Sequence, residues 1–125
     1  MSAVGSASAR VEAALDAVER VNPRLNAYLH LDPEGARAAA TAEDARDTGL
    51  GGAPDPTRPL AGVPICVKDI VDVAGMPTTA GGAEWERHPE ADATVVARLR
   101  AAGAVVIGKG NTNEFACGID GRNPH

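Results

Sequence analysis

The stretch GVPICVKDIVDVAG, residues 62–75, joins an apolar strand pattern to two charged residues. Val63, Ile65 and Val67 alternate with smaller residues, which is the two-residue period of a strand packed on at least one face. Lys68 follows at the point where this pattern stops. We therefore predict a strand from Val63 to Val67 with a lysine at its carboxyl end.

A helix and a second strand are predicted downstream, within ADATVVARLRAAGAVVIGKGN, residues 91–111. Asp92 is of a type that caps helix N-termini, and Gly103 suits the left-handed position after a last turn. The run Ala104–Ile107 is typical of a strand buried in a parallel sheet. The helix residues predicted to face inward are Val95, Val96 and Leu99. Strand, connection, helix and strand form a βαβ unit, so we predict an α/β fold with a right-handed crossover.

The first half of the chain predicts two helices around a short strand. Ser8–Val21 has apolar residues at helical spacing, and we predict that this helix stops at the Asn22-Pro23 pair, because a residue before proline disfavours the helical region. We predict a strand over Leu25–Leu31 and an alanine-rich helix over Pro33–Arg46. Residues 47–59, rich in Gly, Pro and Asp, are predicted to be a surface connection.

Composition limits the classes of function. The 125 residues suffice for one domain, and the formal net charge of −5 argues against binding nucleic acid through its phosphates. No apolar run approaches the roughly eighteen residues of a membrane span, so we predict a cytoplasmic protein. Cys66 and Cys117 have no neighbouring Cys or His at zinc-ligand spacing. We predict two reduced, buried thiols and no metal site.

Lys68 has two interpretations from the local sequence. A lysine at a strand end is commonly exposed or ion-paired, and local sequence favours this interpretation. A desolvated lysine instead has a pKa below its usual value of about 10.4, and its neutral amine can act as a general base. A pairing with Asp69 does not follow from adjacency, because successive strand side chains point to opposite faces.

Three further polar segments receive structural interpretations. The segment GKGN, residues 108–111, follows a strand but lacks the other residues of a phosphate-binding loop, so we predict a turn that terminates the strand. His88 lies in a polar stretch and is predicted to be a surface residue. Glu114 and Phe115 are predicted to form a short helical turn, with the phenyl ring as its apolar anchor.

Several of these segments, in this order, resemble the amidase signature enzymes. The matching stretches are NPRLNAYL, PLAGVPICVKDIVDVAGMPTTAGG, DATVVARLRAAGAVVIGKGNTNEFACG and GRNPH. The resemblance covers about residues 10–125. It implies an α/β fold in which helices pack on a large mixed sheet, and hydrolysis of a carboxylic amide by a triad of Ser, cis-Ser and Lys.

On this resemblance Lys68, within the motif VKD, matches the triad lysine. Its implied task is to take a proton from the bridging serine, which then activates the nucleophilic serine. The resemblance therefore makes a buried, largely neutral catalytic base the favoured interpretation of Lys68. We assign no catalytic role to the other residues that match family motifs, which are Thr78, Thr79, Gly81 and Gly82 in a segment near the family's active site, and Asn111, Asn113 and Glu114 in a segment that we interpret as scaffolding.

The serine pair of that triad is absent from these residues. In the family, both serines and the backbone that stabilises the oxyanion lie in a Gly-Gly-Ser-Ser segment downstream of the Asn-Pro motif. This chain has only Ser2, Ser6 and Ser8, at an N-terminus that we expect to be frayed. We therefore expect residues 1–125 to be the N-terminal fragment of a single amidase domain, inactive alone. We also expect Val105–Ile107 to be partly exposed for lack of neighbouring strands.

Three functions stay open at this stage. The first is an amidase that converts a small-molecule amide to an acid and ammonia or an amine. The second is the A-type component of a glutamine-dependent aminoacyl-tRNA amidotransferase, which passes ammonia to a partner protein; the segment EFACGIDGRNPH, residues 114–125, weakly favours the amidases. The third is a non-catalytic interaction domain on the same scaffold.

None of these functions implies a cofactor, direct contact with nucleic acid or contact with a membrane. The partners that we expect are the amide substrate and either a second copy of the chain or the other amidotransferase subunits.

Overall fold

A computed structural model describes residues 5–49, 51 and 55–125 of the chain. The elements of this part are α1 (Ala7–Leu25), β1 (Tyr28–Leu31), α2 (Pro33–Gly49), β2 (Pro64–Lys68), α3 (Thr94–Ala101), β3 (Val105–Gly110) and a 3-10 turn (Glu114–Ala116). The predicted α/β fold is confirmed, because helices pack on a mixed sheet.

Strand β3 lies at the centre of the described sheet, between β1 and β2. Strand β1 runs antiparallel to it, with Tyr28 opposite Gly110. Strand β2 runs parallel to it, with Lys68 opposite the same glycine. The βαβ unit predicted from the second half is therefore present, and β2 forms one edge of the described sheet.

The two faces of the sheet are covered by different elements. One face packs against α1 and α2, and its buried residues are Ala7, Val11, Leu15, Val18, Ala36, Ala40, Val105 and Ile107. The other face packs against α3 and the segment that follows β2, and its buried residues are Val67, Val73, Met76, Val96 and Val106. Because successive side chains of β3 alternate, this strand contributes to both clusters.

The expectation that Val105–Ile107 would be partly exposed is wrong. All three side chains are buried. The reason is that β3 has a neighbouring strand on each side and helices on both faces.

Helix α1 begins with an ordered serine cap. The Ser6 hydroxyl accepts a hydrogen bond from the Ala9 N–H at 3.1 Å, and the Ser8 hydroxyl donates to Asp44 at 2.6 Å. The expectation of a frayed N-terminus is therefore wrong for these two serines. Ser2 lies outside the described residues.

Helix α1 also continues past the predicted stop. It passes through Pro23 and ends at Asn26, whose φ of 46° closes the helix in the left-handed conformation. The Asn22 side chain bonds both backbone groups of Tyr28, donating to its carbonyl at 3.0 Å and accepting from its N–H at 2.8 Å. These bonds hold the last turn, so β1 begins later than predicted.

Helix α3 begins at Thr94 with Ala93 as its N-cap, so the prediction that Asp92 caps it is wrong. The Asp92 carboxylate instead accepts from the Ala74 N–H at 2.8 Å and lies 3.1 Å from Arg100 Nε. Asp92 therefore ties the segment after β2 to the helix.

The inward face of α3 is narrower than predicted. Val96 is fully buried and Leu99 is half-buried, whereas Val95 is exposed. Gly103 has the predicted positive φ, at 97°. The predicted connection at 47–59 is occupied at its start by the end of α2, and its residues 50 and 52–54 lie outside the described residues.

Candidate active site

Lys68 ends β2, and its side chain is exposed. Its cross-strand partner is Gly110, which has no side chain to cover it. Because β2 is also an edge of the described sheet, the expectation of a buried Lys68 is wrong within the part of the chain that the structure describes. The Lys68 carbonyl accepts from the Val71 N–H at 2.9 Å, so the backbone turns directly after it.

Asp69 anchors the end of β2 in two directions. Its N–H donates to the Gly110 carbonyl and its carbonyl accepts from the Ala80 N–H, both at 2.9 Å. Its carboxylate accepts from the Thr79 hydroxyl, from the Thr79 N–H at 3.0 Å and from the Gly81 N–H at 3.3 Å. The residue directly after Lys68 is therefore fixed both to β3 and to residues 79–81.

Lys109 is the buried partner of Asp69. Its Nζ lies 2.9 Å from Asp69 Oδ1, and it donates to Thr78 Oγ1 at 2.8 Å and to the Pro77 carbonyl at 2.9 Å. These three acceptors use the three donors of an ammonium group. The turn predicted at residues 108–111 is wrong, because Lys109 finds its partners inside the molecule and β3 continues to its next residue.

The charge on Asp69 is stabilised by its surroundings. Burial acts to raise the pKa of this carboxyl group. Hydrogen bonds from Thr79, Lys109 and the Gly81 N–H, together with the positive charge of Lys109, outweigh burial and hold the pKa below its usual range. Asp69 and Lys109 therefore form a buried ion pair, which sequence reasoning missed because the partners are distant in the chain.

The loop Thr78–Gly82, with sequence TTAGG and here named the TTAGG loop, is closed from its other side by Asn123. Asn123 Nδ2 donates to the Gly81 carbonyl and to the Thr112 carbonyl, both at 2.7 Å, and lies 3.1 Å from Asn111 Oδ1. The C-terminal segment GRNPH is thereby held against both the TTAGG loop and the residues after β3.

Gly81 sits between the two anchoring side chains. Its N–H bonds the Asp69 carboxylate, and its carbonyl bonds the Asn123 amide. Its φ of +69° is a conformation that L residues rarely adopt, and a Cβ at this position would lie 2.7 Å from the Thr112 carbonyl oxygen. The structure thus brings together the TTAGG loop and the residues after β3, which are the two segments with family motifs to which no catalytic role was assigned.

Cys66 and Tyr28 lie near Lys68. Cys66 precedes Lys68 by two residues in β2 and therefore shares its face of the sheet. Burial first, and then the nearby Cys66 thiol with its hydrogen bond, raises the pKa of Tyr28 to about 12. Burial also raises the pKa of Cys66, and the Tyr28 hydrogen bond opposes this effect.

Both cysteines are unpaired, but the prediction that they are buried is wrong. Cys66 and Cys117 are exposed as residues. The Cys66 sulfur nevertheless packs closely on the backbone, since a Cβ added at Gly110 would lie 2.5 Å from it. This contact removes part of the thiol from water and explains why burial raises its pKa, although Cys66 as a residue is exposed on an edge strand.

The remaining sequence candidates flank the TTAGG loop, because Thr78 pairs with Arg87 and the Phe115 N–H donates to the Ala80 carbonyl at 2.7 Å. His88 is on the surface as predicted, beside Glu86. The turn predicted at Glu114 and Phe115 is present, but the phenyl ring is exposed and contacts Trp85, with the ring centroids 6.2 Å apart, so it is no buried anchor.

Metal-binding and membrane-spanning features are both absent from the described residues. No cluster of three or more His, Cys, Asp or Glu within 5–49, 51 and 55–125 could hold a metal ion. In the same part of the chain, no helix combines the length and the apolar character that crossing a bilayer requires.

A family model and several curated proteins are similar in sequence to this chain. The family model described as Amidase matches residues 9–125. The A-type component of glutamyl-tRNA(Gln) amidotransferase from Salinispora arenicola is 49% identical over 116 residues, which are 90% of this chain and 22% of that protein. The chain thus spans about a fifth of the length of the curated relatives that it matches.

Solved structures show the same fold. An inhibitor-bound protein from a vestigial complex, described as revealing the origins of an s-triazine catabolic enzyme, is 37% identical with a TM-score of 0.86, over 97% of this chain and 26% of that one. Peptide amidase from Stenotrophomonas maltophilia is 36% identical with a TM-score of 0.75, over 94% of this chain and 24% of that one. The chain belongs to the amidase signature family.

Proposed function

We propose that this chain carries the general-base lysine, Lys68, of an amidase that hydrolyses a carboxylic amide. In the triad mechanism Lys68 takes a proton from a cis-serine, and that serine takes the proton of the nucleophilic serine. The nucleophile attacks the amide carbonyl, the leaving nitrogen receives a proton, and an acyl-enzyme remains. Water then releases the carboxylic acid, so the products are the acid and ammonia or an amine.

The contrast between the two lysines of the chain carries this proposal. Lys109 is fully buried, and its three donors are committed to three acceptors, so it is held as a structural ammonium. Lys68 is exposed, and no described residue forms an ion pair with it. Its backbone is nevertheless fixed by the bonds of Asp69. A general base needs this combination of an accessible amine and a fixed position.

The serines belong to another part of the proposed enzyme. Ser6 and Ser8 are engaged in capping α1 and in bonding Asp44, so we assign neither as the nucleophile. We propose that residues 1–125 are the N-terminal part of one cytoplasmic amidase domain and are inactive alone. In the complete domain, residues carrying the serine pair would cover Lys68 and remove water from its amine, which favours the neutral form of a lysine.

A second candidate is the A-type component of a glutamine-dependent aminoacyl-tRNA amidotransferase. The observation that favours it is the name of the curated relatives, which are glutamyl-tRNA(Gln) amidotransferase components of this type at 49% and 48% identity. In that function the amide is glutamine, and the released ammonia passes to a partner protein. Lys68 has the same task in both candidates. A non-catalytic interaction domain is the third candidate, and it would leave Lys68 without a catalytic role.

The test uses the whole protein that the gene encodes. Hydrolysis of glutamine and of simple aliphatic and aromatic amides is compared for the wild type, Lys68→Met and the control Arg98→Met, which removes an exposed cation from α3. We expect Lys68→Met to reduce kcat by about a hundredfold or more, as general-base removal does, and the control to keep the wild-type rate.

Substrate preference separates the candidates. Turnover of several amides by the protein alone supports the amidase, whereas turnover of glutamine only when companion subunits are present supports the amidotransferase. Hydroxylamine added during turnover should trap the acyl group as a hydroxamate. A wild-type rate in Lys68→Met would contradict the proposal, as would turnover by the purified 125-residue chain.

A further inference from the structure

Two asparagine side chains anchor the segment after the 3-10 turn. Asn113 Nδ2 donates to the Arg122 carbonyl at 2.7 Å, and Asn113 Oδ1 accepts from the Gly121 N–H at 3.3 Å. From Cys117 to His125 every residue is exposed except Asn123, which is half-buried. The Asn123 amide nitrogen donates to the Gly81 and Thr112 carbonyls, and its Oδ1 accepts from the His125 N–H at 2.9 Å. Of these two anchors, Asn123 is the one that reaches the TTAGG loop, whereas Asn113 holds residues 121 and 122.

Asn123 is connected to the residue next to Lys68 through one residue, Gly81. The Gly81 carbonyl accepts a hydrogen bond from the Asn123 amide, and the Gly81 N–H donates a hydrogen bond to the Asp69 carboxylate. Asp69 in turn bonds the last residue of β3, and Asn123 bonds Thr112, two residues further on. Asp69 and Asn123 thus join the same two segments, the TTAGG loop and the end of β3, from opposite sides.

We propose that Asn123 is a positioning residue that fixes where the chain beyond Pro124 departs relative to Lys68. The inference rests on the proposed function, in which the segment beyond Pro124 leads to the serine pair. The bonds made by Asn123 set the distance between the lysine and that segment through Asp69 and Gly81. Asn123 touches neither substrate nor reacting atoms in this role.

The chemistry of the amide group gives a specific test. Asn123→Asp keeps the shape of the side chain, and it keeps an oxygen for the His125 N–H. It replaces the donor with an acceptor that faces two carbonyl oxygens, so the bonds to Gly81 and Thr112 become repulsive. Asn26→Asp is the matched control, because it makes the same charge change at an exposed asparagine whose side chain has no hydrogen bond described.

The experiment measures kcat and KM of the whole protein, together with amide hydrogen exchange at residues 79–82 and 110–112. A displaced serine segment lowers kcat, since a misplacement of about 1 Å can cost on the order of a hundredfold. We expect Asn123→Asp to lower kcat by roughly ten- to a hundredfold with KM changed less than about threefold. We also expect faster exchange at both segments, whereas Asn26→Asp should match the wild type.

The outcomes separate this inference from the proposed function. If Lys68→Met abolishes turnover while Asn123→Asp has the wild-type kcat, the inference is overturned and the function stands. If Lys68→Met keeps its activity, the proposed function fails, and unchanged exchange in Asn123→Asp then overturns the structural part of the inference as well. If Asn123→Asp does not fold, Asn123→Ala replaces it. The inference then requires the same decrease in kcat with KM changed less than about threefold.

Discussion

Lys109 Nζ lies 2.9 Å from Asp69 Oδ1, and the two side chains are 0% and 1% exposed. This ion pair joins the central strand to the residue that follows Lys68. Removal of one partner leaves the other as an uncompensated buried charge. We therefore expect Lys109→Met and Asp69→Ala each to lower the free energy of unfolding by about 3–5 kcal/mol, measured by urea denaturation.

The control for this prediction is the exposed ion pair of Glu12 and Arg37, whose closest atoms are 2.7 Å apart. Because water screens this pair, Glu12→Gln should change stability far less than either buried substitution. The double variant Asp69→Ala/Lys109→Met should lose less than the sum of the single variants, since neither charge is then left alone. Additive losses would contradict the coupling.

The lowered pKa of Asp69 predicts an acid-dependent stability. A carboxylate with a folded-state pKa below its unfolded value stabilises the fold above the unfolded pKa, and this contribution is lost as pH falls through the folded pKa. We expect the free energy of unfolding to fall below about pH 4, and Asp69→Asn to show a smaller fall. Urea denaturation of both proteins over a series of pH values measures this decrease in the free energy of unfolding.

The free energy of unfolding of Asp69→Asn should still decrease to a smaller extent as the pH falls. The pKa of Asp44 is also lowered, chiefly by the Ser8 hydroxyl, and that of Asp55 by the Thr57 hydroxyl. Identical slopes in the variant and the wild type would show that Asp69 does not contribute.

Gly81 and Gly75 provide a matched pair of glycines. Both have positive φ, +69° and +79°, but a Cβ at Gly81 would meet the Thr112 oxygen at 2.7 Å, whereas a Cβ at Gly75 meets nothing within 4 Å. Gly75→Ala should cost about 1–2 kcal/mol from backbone strain alone. Gly81→Ala should cost clearly more, because it also displaces Asn123 or Thr112. Equal thermal midpoints for the two variants would refute the close packing.

Tyr28 is the one tyrosine of the chain, so its titration can be followed directly by phenolate absorbance. Burial first and Cys66 second raise the pKa of Tyr28 to about 12. Cys66→Ala should lower this pKa while leaving it above the usual value of about 10, because burial remains. An unchanged pKa in the variant would show that burial alone sets it.

Local patterns were sufficient for most of the architecture. The alternation of Val63, Ile65 and Val67 and the apolar run after Gly103 predicted β2, β3 and their parallel pairing. Helix ends were harder, because capping depends on which side chain finds which backbone group: Asp92 bonds Ala74 and leaves the start of α3 uncapped by a side chain.

Residue spacing established the strands and the helices, and motif order singled out Lys68 as the lysine of interest. Which lysine is buried depended on the assembled sheet. Local sequence favoured an exposed Lys68, as the structure has it, whereas the family resemblance favoured a buried Lys68 and the local pattern placed Lys109 in a turn. Lys68 lies on an edge strand opposite Gly110 and stays exposed. Lys109 lies on the central strand, where Asp69 and Thr78 arrive from a distant segment to satisfy its charge. Burial of a charge requires such partners, and their arrival is a property of the tertiary fold rather than of local spacing.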